Sequence, residues 1–275
     1  MYLWIKTLLM NRKSALAIFI ALVCLASCTK DPLKSYPPEL TTIKKSLEST
    51  FNRLDSMLDA STNRLAPIIA DTTAIRSELK TLYGQKPAYI LEYALVSPAG
   101  IMEVIEPPTY YSMEGMNISS QAHIIKVFQT KAPVLSETFL AVEGFYAVVE
   151  VHPVMKNQQA AGALTALFYP HQMMDPVIYP LLEGQDFEIW MMEKGGTLIW
   201  DQDLPDIGRN LFTDPYYDPF PNLRVALEKI VAEDYGETTY SFFQAGTNVE
   251  VVKLAHWVTF THHGQEWKIV HVRIE

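Results

Sequence analysis

The sequence predicts an α+β fold in which one long N-terminal helix precedes two antiparallel-sheet modules of similar design. Residues 38–84 repeat apolar side chains at helical spacing. After Gly84 the text changes to short runs of Val, Tyr, Phe and Ile between turn residues, and one order of strands and helix occurs twice.

The chain opens with Lys6, Arg12 and Lys13, then an uncharged apolar run from Ala15 to Leu25, the order of a secretory signal and short for a bilayer span. The run ends in Leu25-Ala26-Ser27-Cys28, which resembles the lipobox cut by bacterial lipoprotein signal peptidase. Residues 1–27 are therefore expected to be a lipoprotein signal peptide, with Cys28 as the lipidated N-terminus. The mature protein is expected at the cell envelope, anchored to a membrane and facing the periplasm or exterior. Cys24 would leave with the peptide, so no structural disulfide is expected. Cleavage removes three basic residues and no acidic one, moving the formal net charge from −9 to −12 and arguing against nucleic acid as a partner. Residues 28–37, polar and proline-bearing, read as a tether.

Leu40, Ile43, Leu47, Phe51, Leu54 and Leu58 recur every three or four positions and form one stripe of an amphipathic helix. Pro67 should interrupt or kink it. Asp71 can cap a second helical stretch that carries Ile75, Leu79 and Leu82 and stops at Gly84. Strands are expected at Tyr89–Val96, Ile101–Ile105, Val134–Ala141, Phe145–His152 and Ala163–Phe168, with helical text from Ser119 to Phe128. The pattern recurs as strands Phe187–Met192 and Thr197–Asp201, helical text Leu223–Ala232, and strands Thr238–Phe243, Val251–Phe260 and Trp267–Val272. His263-Gly264-Gln265 reads as a hairpin turn.

Several segments carry a family resemblance. They are the helix entering Tyr89-Ile90-Leu91, Ser97-Pro98-Ala99-Gly100, the insertion before Val134-Leu135-Ser136, the run Gly195-Gly196-Thr197-Leu198-Ile199-Trp200-Asp201, Ile207-Gly208-Arg209-Asn210, and the closing Trp267-Lys268-Ile269-Val270. Over residues 38–275 this order resembles the double Cache family of extracytoplasmic sensor domains. The resemblance implies a long helix at 38–84, a membrane-distal PAS-like (Cache) module at 85–185 and a membrane-proximal one at 186–275. Such sensors usually continue into a transmembrane helix and an output region, whereas this sequence ends at Glu275, just after its last strand. The chain is therefore expected to present a ligand, or a ligand-dependent shape, to an envelope signalling partner. The Leu40–Leu58 stripe either serves that partner or lies under the chain's own sheets.

Motifs for chemistry are sparse. Asp201, Asp203, Asp206 and Gly208 suggest a calcium loop, but Asp206 stands where the loop needs glycine and Phe212 where it needs glutamate, so the segment reads as an acidic turn. His256, His262, His263 and His271 lack a clear third ligand type nearby and read as core or edge residues, so no metal or cofactor is expected. No nucleophile elbow, zinc helix, phosphate loop or dinucleotide fingerprint occurs, and Ser119 and Ser136 have no histidine beside them, so no catalytic residue is assigned. Asp214-Pro215-Tyr216-Tyr217-Asp218-Pro219-Phe220 reads as a packed loop, with Lys253 and Trp257 able to share a pocket beside it.

The membrane-distal module offers the expected ligand site. No arginine occurs between Arg76 and Arg209, while Tyr110, Tyr111, Glu114, Ser136, Tyr146 and Glu150 are available. On a strand over 145–152, Tyr146, Val148, Glu150 and His152 share one face, and a carboxylate in so apolar a strand needs water or a donor. Amino-acid sensors of the resembling family clamp the ligand carboxylate with arginine, which this module lacks by sequence interval. An amine or a neutral polar metabolite fits tyrosine and glutamate better. Two alternatives stand beside this non-enzymatic reading: an envelope scaffold without a small ligand, which a distal pocket filled by its own side chains would favour, and a cryptic hydrolase.

Overall fold

A computed structural model of the chain describes residues 35–275; the expected signal peptide, the expected lipidation site Cys28 and most of the expected tether lie outside the described residues. Helix α1 (Pro38–Ile68) starts with Pro38 at its first turn, where a missing N–H costs nothing, and carries Pro67 in its last turn. The break comes at 69–71. Asp71 then caps α2 (Thr72–Gly84), its side chain accepting from the N–H groups of Thr73 and Ala74. Every residue of the apolar stripe, from Leu40 to Leu58, is fully buried. Such side chains each contribute about 1.5–3 kcal/mol.

The first sheet contains β1 (Ile90–Val96), β2 (Met102–Glu106), β3 (Val134–Leu135), β4 (Phe139–Leu140), β5 (Tyr146–Lys156) and β6 (Gln159–Phe168). Its order is β2-β1-β6-β5-β3, with β4 also pairing β5. Helix α3 (Ala122–Thr130) covers one face, where Val127 packs with Val149, Val151 and Leu167. A further helix, α4 (Pro170–Leu182), follows the sheet, although its interior Pro176 and Pro180 each remove a backbone donor. Buried Met173, Met174 and Ile178 hold it in place.

The second sheet has the order β8-β7-β11-β10-β9. Its strands are β7 (Phe187–Glu193), β8 (Leu198–Asp201), β9 (Tyr235–Phe243), β10 (Glu250–His262) and β11 (Gln265–Ile274). Helix α5 (Pro221–Ala232) covers one face through Leu223, Ala226, Leu227 and Ile230, packed on Trp190, Tyr240 and Trp257. His262 pairs with Gln265, so His263 and Gly264 form a two-residue hairpin loop, both at positive φ (42° and 87°) as a type I′ turn requires.

Helix α1 packs on β5 and β6 of the first sheet and on β10 and β11 of the second. Phe51 shows the junction most clearly. Its ring stacks on Phe260 at 5.4 Å and meets Trp267 at 5.5 Å and Phe168 at 6.2 Å, edge-on in the last two cases. The stripe is thus consumed by the chain's own two sheets and is not available to a partner. A second tie runs between the sheets at Glu193, at the end of β7, which accepts from the Thr138 N–H at 2.6 Å and from its hydroxyl at 3.0 Å.

Candidate ligand-binding site

The six expected ligand residues fall in separate places. Tyr111 donates its hydroxyl to Glu106 at 2.6 Å, and Glu114 accepts from Arg76 at 2.6 Å and from the Ile105 N–H at 3.0 Å. Arg76 also lies 4.4 Å over the Tyr111 ring. This corrects the premise that the module lacks arginine. Arg76 belongs to α2, and the packing of that helix on β2 brings the guanidinium to Glu114, 38 residues on. Tyr110 packs in the neighbouring apolar cluster with Ile105 and Ile118.

The remaining three residues lie apart from these. The Ser136 hydroxyl accepts the Val149 N–H at 3.0 Å and so completes the strand edge, while Tyr146 is 65% exposed. The alternation of β5 holds as expected, and Glu150 meets the needed donor in His152 Nε2 at 3.0 Å. That contact lies on the face toward α1, three strands along from the edge strand β2 that neighbours Glu114. One pocket cannot use both glutamates.

The first module opens a cleft of ≈ 340 Å³ lined by Lys126, Ser136, Glu137 and Thr138 among others, while the space deeper in its interior, lined by Glu92, His123, Phe139, Glu143 and Thr165 among others, is ≈ 20 Å³. That is room for about one water. Burial, reinforced by the neighbouring Glu143, holds the Glu92 carboxyl well above the ordinary glutamate range. Burial also lowers His123 to about 4. At neutral pH the interior is therefore uncharged at these two groups.

The second module contains a smaller but more enclosed cavity, ≈ 90 Å³, between β7, β9, the acidic turn after β8 and the loop before α5. Its walls are aromatic: Trp190, Tyr216, Tyr217, Tyr240 and Phe242. Trp190 Nε1 donates to the Tyr240 hydroxyl at 3.3 Å, which fixes both rings, whereas the buried Tyr217 hydroxyl has no hydrogen-bond partner among the described residues. Its polar rim carries Glu188, Asp201, Asp203 and Asp206. Lys253 is bound to Glu188, and Arg209 pairs with Asp206 at 3.1 Å and Asp214 at 2.9 Å.

Asp201 faces no cation in these pairings. Among the described residues its side chain accepts only the Asp203 N–H, at 2.9 Å, and closes the acidic turn. Burial, added to the charges of Asp206, Asp203 and Glu188, pushes its carboxyl up to about 7. Of the two residues expected near this loop, Lys253 lines the cavity, whereas Trp257 packs deeper and donates its Nε1 to Glu233 O. The Asp214–Phe220 segment is the packed loop that was expected, with Asp214 capping a 3₁₀ turn, yet Tyr216 and Tyr217 also serve as cavity wall. Tyrosines beside proline read as packing in a sequence, and only the fold of β9 across them shows a wall.

Residues 49–170 match the family model described as the HK/GC/chemotaxis protein-like sensor domain. No curated protein sequence matches the chain. Among solved structures, the extracellular ligand-binding receptor from Desulfohalobium retbaense is 24% identical with a TM-score of 0.70, covering 86% of this chain and 40% of that one. This chain thus spans well under half of that receptor's length. The ligand-binding domain of the Pseudomonas fluorescens chemoreceptor CtaA, in complex with L-isoleucine, is 11% identical with a TM-score of 0.60 and covers 96% of both chains. That of the Pseudomonas aeruginosa amino acid chemoreceptor PctB, in complex with L-Arg, is 13% identical with a TM-score of 0.62, covering 86% of this chain and 93% of that one. These matches are sensor or receptor domains. Among the described residues no helix is long and apolar enough to cross a membrane. The long helix followed by two helix-covered antiparallel sheets is the double Cache (PAS-like) fold, as in the chemoreceptor ligand-binding domains that this chain is similar to.

Proposed function

We propose that this protein is a lipid-anchored extracytoplasmic sensor-type protein, without enzymatic activity, that binds a small amine in the second-module cavity and presents the resulting shape to an envelope partner. The observation that carries the ligand class is Asp201: a partly buried carboxylate, not ion-paired among the described residues, on the acidic rim of a cavity that Tyr216 and Tyr240 also line. Carboxylates and aromatic faces both favour positive charge, and the desolvated site magnifies that preference. The L-isoleucine and L-Arg bound by the related CtaA and PctB domains each carry an ammonium group, which is consistent with this class.

A thermal-shift screen of amines, amino acids, dicarboxylates and neutral sugars tests the assignment. At about a hundredfold excess over Kd, a true ligand adds about 2.7 kcal/mol, or roughly 5–10 °C for a body of this size. Amines should shift the melting point and dicarboxylates should not; the reverse pattern would sink the assignment. The scaffold reading draws support from the ≈ 20 Å³ space deep in the first module, and a screen without any hit would favour it.

A further inference from the structure

Where α1 passes between the sheets, its Asp55 meets Glu150 of β5 and the tip of the β10–β11 hairpin, His262 and His263. One ligand atom from each of these four residues lies within 4.8 Å of the others. His263 Nε2 is 2.6 Å from Asp55 Oδ1, and His262 Nε2 is 3.6 Å from both Asp55 Oδ1 and Glu150 Oε2. A tetrahedral ion with bonds of about 2.0–2.1 Å sets its ligand atoms about 3.3–3.4 Å apart, within the spread seen here.

Two atoms of this cluster lack the hydrogen bonds that burial demands. Glu150 is fully buried, yet its Oε2 has no hydrogen-bond partner among the described residues, and neither has His262 Nε2. Both belong to the converging set. The charges also suit a dication, because two carboxylates neutralise it while the imidazoles coordinate as neutral bases, so the filled site carries little net charge into a desolvated junction. His152 completes the arrangement. Its Nε2 lies 3.0 Å from Glu150 Oε1 and 3.2 Å from Asp55 Oδ1, and its Nδ1 lies 2.8 Å from Asp59. An imidazole so placed orients ligating carboxylates from behind.

We propose that Asp55, Glu150, His262 and His263 bind one divalent transition metal of the zinc class, with His152 as a positioning residue, and that the ion ties α1 to both sheets. Two nitrogen and two oxygen donors suit zinc, and imidazole disfavours calcium and magnesium. The proposal stands independently of the amine site. In sequence the set is concealed, since Asp55 and His263 are 208 residues apart.

The test uses the purified full chain, stripped with EDTA and titrated with Co²⁺ and then Zn²⁺. The expected result is one equivalent per chain, visible absorption from tetrahedral Co²⁺, its displacement by Zn²⁺, and a melting point raised by roughly 5–10 °C at about a hundredfold excess over Kd. His263→Asn keeps a residue suited to positive φ, and it should weaken binding by at least about tenfold, as should Glu150→Gln. His256→Gln, elsewhere on β10, should leave affinity unchanged. A wild-type chain without saturable Co²⁺ absorption, or equal affinity in wild type and His263→Asn, would overturn the proposal, and the wild-type titration decides even where a variant fails to fold.

Discussion

Two carboxyl groups give the residue scale its sharpest predictions. In the unfolded chain Glu92 titrates near the ordinary 4.5, whereas in the folded chain burial beside Glu143 holds it far higher. Through the interval between, the folded state keeps a proton that the unfolded state has lost. The stability Glu92 contributes is therefore full below the ordinary range and declines as pH rises through neutrality. Glu92→Gln should flatten the fall in Tm measured from about pH 5 to about pH 9, and parallel wild-type and variant profiles would contradict this. Asp201, raised to about 7, couples to ligand instead. A bound ammonium favours its ionised form, so amine affinity should drop roughly tenfold between pH 8 and pH 6, and the dependence should vanish in Asp201→Asn. Neither group stood out in the sequence as a binding residue. Asp201 was legible only as part of an acidic turn, and Arg76 was set aside because residues were counted along the chain, whereas α2 delivers its side chain sideways onto β2.

Elements were legible wherever a short-range pattern decides them. The Leu40–Leu58 stripe, the Asp71 cap and the His263–Gly264 turn depend on spacing and local backbone chemistry, and the structure shows each in the expected place. The helix Pro170–Leu182 was not legible, because Pro176 and Pro180 read as breakers and only the burial of Met173, Met174 and Ile178 outweighs them. Likewise, the alternation of β5 separates two faces correctly but cannot say which one meets α1. The prediction at this scale concerns α1 as the shared spine. Phe51→Ala removes one ring from contacts with three aromatic residues on both sheets, and it should cost about 3–5 kcal/mol in denaturant unfolding. A loss under about 1 kcal/mol would mean that the sheets do not depend on the helix for their packing.

At the scale of the whole molecule, α1 and the Thr138–Glu193 contact place the two sheets in direct mechanical register. The proposed lipid anchor belongs to this scale too: Cys28→Ala should abolish incorporation of labelled fatty acid, and persistent labelling would remove the lipoprotein reading. The central claim is that the second-module cavity binds an amine through Asp201, and isothermal titration of the strongest amine from the screen tests it most directly. Wild type and Glu114→Gln should bind with equal affinity, while Asp201→Asn should lose at least about tenfold, in line with the 1.5–3 kcal/mol typical of a charge-assisted contact. Unchanged affinity in Asp201→Asn, or a loss confined to Glu114→Gln, would contradict the account.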